Sequence, residues 1–188
     1  MIKYPSGAKQ KTHHEVNSQI SSANRGVYFE NLISISLKYY EEKGIAYIIK
    51  RPTPIKIVKV DYSHGQRIVE AYFEKQSTVD YSGIYKKRFV CFEAKSHIFK
   101  TSFPLSNVSI HQMDYLKKME EQQALSFFLI ELKALNKIFL IPSSYIITYE
   151  TNYNRKSIPL SEIAENGILV EQGINPRIKI IEAIDKIL

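Results

Sequence analysis

The stretch that decides the fold is Arg88-Phe89-Val90-Cys91-Phe92-Glu93-Ala94-Lys95. Its aromatic and β-branched residues are typical of a buried strand. Side chains on a strand alternate between its two faces, so Glu93 and Lys95 share one face while the alternating apolar residues point to the other. The stretch therefore predicts a core strand that holds a carboxylate and an ammonium group side by side.

A second acid precedes this strand. Asp80 is separated from it by Ser82-Gly83, a turn signal that predicts a hairpin placing Asp80 beside Glu93. Two carboxylates held together suit Mg²⁺, and a neighbouring lysine orients a nucleophilic water or offsets the charge that develops on a phosphate. The spacing is thus typical of phosphodiester hydrolysis, but an exposed strand end with an ion pair gives the same pattern.

The composition favours a nucleic-acid partner. The chain has 188 residues, which is enough for one domain with a substantial core. Lysine and arginine outnumber aspartate and glutamate by 26 to 19, the net charge is +7, and there are 13 tyrosines and 9 phenylalanines. Many basic proteins bind no polyanion, so this charge supports a nuclease without establishing one.

Several other classes of protein are disfavoured. The single cysteine, Cys91, excludes an internal disulfide framework, and in mid-strand it is typical of a small buried hydrophobe on the Glu93 face. The five histidines show no zinc-site spacing. No apolar stretch approaches about 20 residues, and the first residues lack the apolar core of a signal peptide. We therefore expect a soluble cytoplasmic protein without a membrane partner.

The chain divides into two expected parts. Residues 1–23 are polar and lack an apolar period, which predicts a flexible basic arm, and residues 24–188 predict a single nuclease domain. The first helix of that domain should run from about Asn24 to Lys43 and end before Gly44. Glu30 lies on the flank of its apolar stripe, where it is either favoured by the helix dipole or part of the site.

The segment around residues 51–76 predicts a projecting β stalk. Strands over Ile45–Lys50 and Ile55–Tyr62 are separated by prolines that a central strand does not tolerate. Alternation predicts that Ile57 and Lys59 share one face of the second strand. Basic residues along the segment include Arg51, Lys56, Lys59 and Arg67. The segment is therefore either a surface ribbon or an arm that contacts DNA.

A second helix is predicted from about Ser109 to Gln122. Gln112 faces its apolar side, so the amide points inward and needs hydrogen-bond or metal partners. The predicted order of helices and strands indicates an α/β fold, in which helices flank a mixed sheet. The remaining predicted elements are strands over Ala124–Leu132 and Lys137–Ile141, a short helix after Pro142 and a terminal helix over Ile178–Leu188.

An ordered series of motifs along nearly the whole chain resembles the RecU family of Holliday junction resolvases from low-GC Gram-positive bacteria. The matching stretches are Met1–Pro5, Asn24-Arg25-Gly26, Phe29-Glu30, Pro52-Thr53-Pro54, Glu70–Phe73, Thr78–Tyr85, Phe92–Lys95, Lys100–Leu105, His111-Gln112 and Pro176-Arg177-Ile178. In the wider superfamily the first acid often follows a proline, whereas Val79 stands there in this chain.

The resemblance implies a restriction-endonuclease-like core, a homodimer and Mg²⁺-dependent resolution of four-way DNA junctions in recombination and repair, with Mn²⁺ as a substitute metal. It implies that the stalk reaches toward the junction centre. It also implies a nucleoid-associated setting in a bacterial cytoplasm, with the recombinase RecA and a branch-migration motor as candidate partners.

Carried over position by position, the resemblance also implies a set of site residues. The metal-site groups would be Thr78, Asp80, Glu93 and Gln112. Lys95 would stabilise the transition state or position the water, and Glu30 would hold a metal-bound water or Lys95. Water would attack phosphorus in line without a covalent intermediate. Arg25 joins the basic stalk residues as an expected DNA contact.

Two alternatives stay open. A restriction-type or repair nuclease would cut linear duplex, although such an enzyme has no need of a central basic projection. A non-catalytic module would bind or bridge junctions, although a degenerate domain usually loses one of Asp80, Glu93 and Lys95.

Overall fold

The computed structural model describes residues 22–73, 78–98, 100–153 and 155–188, with the backbone alone for residues 22–25 and 153. The predicted basic arm thus lies almost entirely outside the described residues. Within them the helices are α1 (Ser22–Glu42), α2 (Ile110–Glu121), α3 (Ser143–Tyr153), α4 (Leu160–Asn166) and α5 (Ile180–Ile184). The strands are β1 (Tyr47–Lys50), β2 (Ile55–Asp61), β3 (Arg67–Phe73), β4 (Tyr81–Tyr85), β5 (Arg88–His97), β6 (Ser102–Pro104), β7 (Leu125–Leu132), β8 (Lys137–Pro142), β9 (Ser157–Pro159) and β10 (Ile168–Val170).

The predicted core strand is β5, and it lies inside a six-stranded sheet of order β1-β4-β5-β7-β8-β10. It pairs antiparallel with β4 and parallel with β7, so the sheet is mixed. Alternate side chains of β5 supply two cores. Val90 and Phe92 pack with α1 and α5, whereas Cys91 packs with α2, α3 and α4 on the opposite face. The prediction of a mixed sheet flanked by helices is confirmed.

Three stacked aromatic rings fix the register of the strands that carry the acids. Tyr81 of β4, Phe92 of β5 and Phe127 of β7 are fully buried, and neighbouring ring centroids are 4.8 Å apart. The hydroxyl of Tyr81 also donates to the backbone carbonyl of Glu30 at 2.9 Å. This bond joins α1 to the sheet next to the acids.

The hairpin between β4 and β5 is confirmed, but its turn is not at the predicted Ser82-Gly83. The chain reverses at Lys86 and Lys87, whose φ angles of 45° and 64° give the geometry of a two-residue hairpin turn. Gly83 lies inside β4. A Cβ there would lie 2.0 Å from the carbonyl oxygen of Tyr47, so the glycine serves the close approach of β1.

Most other predicted element boundaries agree with the structure within two residues. The helix after Pro142 is longer than predicted and covers eleven residues as α3. The terminal helix is shorter than predicted, with five residues in α5. Ile178 cannot join it because its backbone bridges to Gln172 and its N–H donates to Ser36 Oγ at 2.9 Å. No helix in the described residues is long and apolar enough to cross a membrane.

An exposed ribbon stands where the stalk is predicted. β2 and β3 form a two-stranded antiparallel sheet of their own, and all seven residues of β3 and five of seven in β2 are exposed. Ile57 pairs with Ala71 and Lys59 pairs with the adjacent Glu70. The prediction that Ile57 and Lys59 share a face is wrong, because a bulge at Val58 inserts an extra residue between them.

Candidate active site

The two predicted acids meet in one row across the sheet. Tyr81 of β4 pairs with Lys50 of β1 and Phe92 of β5. The neighbouring residues Arg51, Asp80 and Glu93 therefore lie side by side in the next row across the sheet. The N–H of Arg51 donates to the carbonyl of Asp80 at 2.7 Å, and the N–H of Asp80 donates to the Glu93 carboxylate at 3.2 Å. The N–H of Ala94 donates to the Asp80 carboxylate at 3.0 Å. The prediction that the hairpin places Asp80 beside Glu93 is confirmed.

Glu93 is almost completely buried, with 2% of the residue exposed. Its Oε1 accepts from Lys95 Nζ at 2.8 Å and from Gln112 Nε2 at 2.6 Å. Lys95 Nζ also lies 3.3 Å from Gln112 Oε1. Lys95 and Gln112 therefore converge on the same acid, and the predicted inward orientation of the Gln112 amide is confirmed.

Gln112 is held in this position by the start of its helix. Ser109 is the N-cap of α2 and its Oγ accepts from the N–H of Gln112, while Gln112 Oε1 accepts from the N–H of Ser109 at 3.1 Å. This reciprocal capping box aims the remaining amide nitrogen at Glu93. The Ser-x-x-Gln spacing was readable from the sequence, but only the packed structure shows that it serves the acid.

Burial raises the free-energy cost of ionising both Asp80 and Glu93. Desolvation, followed by the charge of Asp80, raises the pKa of Glu93 from 4.5 to about 8. Desolvation also raises the pKa of Asp80, although the Ala94 N–H opposes the increase. The two carboxyl groups therefore hold a proton near neutral pH unless a cation replaces it.

A small polar cavity opens beside Asp80. Its volume is about 120 Å³, and its lining includes Thr78, Glu30, Lys50 and Arg51. Glu30 borders the site as expected, but its carboxylate pairs with Lys50 at 2.5 Å. Glu30 therefore pairs with Lys50 and not with Lys95, which pairs with Glu93. The alternative expectation, that Glu30 holds a metal-bound water, stays a prediction. A larger cavity of about 450 Å³ beside α2 and α3 is lined by neither Asp80 nor Glu93.

The site contains the oxygen donors that a hard divalent cation requires. Among the described residues no group of three or more His, Cys, Asp or Glu side chains converges as a metal site. A cation here must use the two carboxylates of Asp80 and Glu93 and complete its shell with neutral oxygens, such as Thr78, backbone carbonyls or water. This mixed oxygen set fits Mg²⁺, which keeps several waters when bound to proteins. The oxygen of Gln112 already accepts from Ser109 and Lys95, so Gln112 as a metal-site group stays a prediction.

The expected DNA contacts fall in different places. Lys56, Lys59 and Arg67 are exposed on the ribbon, and Lys56 Nζ lies 6.0 Å from the centroid of the Tyr72 ring. The side chain of Arg25 is outside the described residues. Arg51 is not part of the ribbon, which begins at Ile55, but lies beside Asp80. Its assignment to the stalk is therefore corrected.

Comparisons with known proteins agree with one another. A family model described as RecU, recombination protein U, matches residues 24–186. A protein of Streptococcus sanguinis strain SK36 described as Holliday junction resolvase RecU is 42% identical over 191 residues, covering 99% of this chain and 96% of that protein. A protein of the same description from Lactococcus lactis subsp. cremoris strain MG1363 is 41% identical over 210 residues, covering 100% of this chain and 98% of that protein.

A solved structure of an Archaeoglobus fulgidus Holliday junction resolvase, Hjc, overlaps 77% of this chain and 95% of its own. At 12% identity and a TM-score of 0.47, that likeness adds nothing to the assignment. The family model and the full-length relatives are sufficient without it. This chain belongs to the RecU family, recombination protein U.

Proposed function

We propose that this protein is a Mg²⁺-dependent endonuclease that resolves four-way DNA junctions by hydrolysing paired phosphodiester bonds. The observation that carries the proposal is the buried Asp80–Glu93 pair with Lys95 and Gln112 converging on it. Full-length relatives described as Holliday junction resolvases support the choice of substrate.

Each site residue has a distinct role in this proposal. Asp80 and Glu93 hold the cation, Thr78 offers a neutral oxygen beside Asp80, and Gln112 orients the Glu93 carboxylate through its amide N–H. When bound, Mg²⁺ supplies positive charge that activates water and offsets the charge of the phosphate. Lys95 stays beside the phosphate through its ion pair with Glu93 and stabilises the charge that develops during attack.

The electrostatics of the carboxylates support a metal rather than a purely structural ion pair. A structural pair would lower the pKa of its acid, whereas the pKa values of both Asp80 and Glu93 are raised despite Lys95. A divalent cation between the acids would relieve this cost.

We also propose that the working form is a homodimer. One face of the sheet across β1, β4 and the start of β5 carries exposed apolar side chains at Tyr47, Ile49, Ile84 and Phe89, each 39–56% exposed. A contiguous apolar surface of this kind is typical of protein interfaces. A two-fold pair of chains supplies the two equivalent sites that paired cleavage of a junction requires.

The proposal is tested with a synthetic four-way junction and a linear duplex of matched sequence, each incubated with and without Mg²⁺. We expect symmetric paired cuts in the junction only, and only with Mg²⁺. Cleavage of the duplex at a comparable rate would identify a duplex endonuclease instead. Junction binding without any cleavage under Mg²⁺ or Mn²⁺ would identify a non-catalytic binding module.

A further inference from the structure

We infer that Arg51 binds the scissile phosphate inside the active site and that Tyr115 is the residue that positions it. The inference rests on the proposed function, because it names a group that acts on the same substrate. Arg51 follows β1 directly, and its backbone N–H is bonded to the carbonyl of Asp80 at 2.7 Å. It therefore occupies the same row of the sheet as both catalytic acids.

The side chain of Arg51 turns toward the face of the sheet that carries the acids. Its Nη1 donates to the hydroxyl of Tyr115 at 2.9 Å, and its guanidinium carbon lies 5.4 Å from the centroid of the Tyr115 ring. Tyr115 lies on α2, three residues and nearly one turn after Gln112. One helix therefore aims Gln112 at Glu93 and Tyr115 at Arg51.

Arg51 differs from the other two cations of the site in its partners. Lys50 is paired with Glu30 at 2.5 Å, and Lys95 is paired with Glu93 at 2.8 Å. Across the described ranges of the chain, no carboxylate lies within ion-pair distance of the Arg51 guanidinium. Its positive charge is held by a neutral phenol and is therefore available to an anion from outside.

A phosphate is the anion that this arrangement fits. A guanidinium has five donor hydrogens in a planar fork, and Tyr115 uses one of them. The others suit two non-bridging oxygens of one phosphate. Arg51 also lines the polar cavity beside Asp80, so a phosphate that enters there lies next to both Arg51 and Asp80. The hydrogen bond to Tyr115 restricts the fork before the substrate arrives, which lowers the cost of ordering it.

The first test measures single-turnover cleavage of the four-way junction at saturating protein. Arg51→Ala is expected to lower the rate about 100-fold, and Arg51→Lys is expected to restore only part of the loss, because a point charge cannot replace the fork. Tyr115→Phe removes the hydroxyl alone and is expected to lower the rate about fivefold, the value of one neutral hydrogen bond.

Arg88→Ala is the matched control. Arg88 is also half-buried and also donates to a neutral acceptor, the Gln123 carbonyl, but it lies at the far end of β5. Its variant is expected to cut at the wild-type rate. Thermal melting of all variants separates a loss of folding from a loss of rate. If Arg51→Ala and Arg51→Lys cut at the wild-type rate while wild-type protein resolves the junction, the inference fails and the proposed function stands.

The second test needs no cleavage. Junctions that carry one uncharged methylphosphonate at each position around the branch point are titrated with metal-free protein. We expect one position at which the replacement weakens binding of the wild type several-fold but has no effect on Arg51→Ala. If every position affects wild type and Arg51→Ala equally, Arg51 does not bind a specific phosphate and the inference is overturned. This outcome is independent of whether the protein cuts junctions.

Discussion

Replacing the buried acid by its neutral isostere should change the stability of the metal-free protein in a way that depends on pH. Glu93→Gln keeps the shape of the side chain and one oxygen for Lys95 and Gln112. It removes the charge that burial makes unfavourable. We therefore expect the variant to lose most of the pH dependence that the wild type shows between pH 5 and 8.

The sign and size of the effect follow from the pKa of Glu93. It is raised from 4.5 to about 8, so within that window the folded protein binds a proton that the unfolded chain has released. The contribution of Glu93 protonation to the free energy of unfolding is therefore fully present below pH 4.5 and is lost as the pH rises through about 8. At about 1.4 kcal/mol for each pH unit, the loss across this window is on the order of 5 kcal/mol.

The assay is urea unfolding at a series of pH values in a chelator. The wild type should lose stability steadily toward pH 8, whereas Glu93→Gln should give a flatter curve with a residual slope from Asp80, whose pKa is also raised. Glu120→Gln, which alters a half-buried acid bonded to Ser143 outside the site, should keep the wild-type slope. Parallel curves for wild type and Glu93→Gln would refute this account of the acid pair.

The same titration with Mg²⁺ extends the test. A ligand that binds only the folded state stabilises it by mass action. Mg²⁺ should therefore restore stability to the wild type at pH 8 and have little effect on Glu93→Gln. Equal stabilisation of both proteins would place the cation elsewhere.

Four further changes have expected outcomes. Asp80→Ala should abolish cleavage of a four-way junction in Mg²⁺ while gel-shift affinity survives, because this carboxylate offers no attraction to phosphate. A parallel loss of both would argue against a metal role. Gln112→Glu keeps the capping box but replaces the amide donor to Glu93 with a second carboxylate. Urea unfolding without metal should therefore show a free energy of unfolding lower by about 1–3 kcal/mol. An unchanged free energy would contradict the contact. Neutralising Lys56 and Lys59 should each reduce the slope of log affinity against log salt by about one, and an unaltered slope would show that they face bulk solvent. Lys87→Gly relieves a positive φ of 64° and should raise the free energy of unfolding by about 1 kcal/mol in thermal denaturation; a lowered Tm would contradict that reading of the turn.

The features that the sequence predicts correctly are those set by local backbone geometry. The alternation of side chains along a strand has a period of two wherever the strand is regular, so Glu93 and Lys95 share a face whatever surrounds them. The same reasoning fails on the ribbon, where the bulge at Val58 shifts the faces of Ile57 and Lys59. The position of the hairpin turn also fails, because Gly83 is explained by the approach of another strand and not by local conformation.

The sequence by itself determined that a buried strand carries an acid and a lysine, that a second acid precedes it, and that an inward amide lies on a following helix. Only the tertiary structure decided which groups share the site. Arg51 and Asp80 are 29 positions apart and meet because β1 pairs with β4. Tyr115 reaches Arg51 because α2 packs against β5 and β7. Such contacts depend on strand order and helix packing, which distant parts of the chain fix together, so no local pattern around Arg51 or Tyr115 contains them.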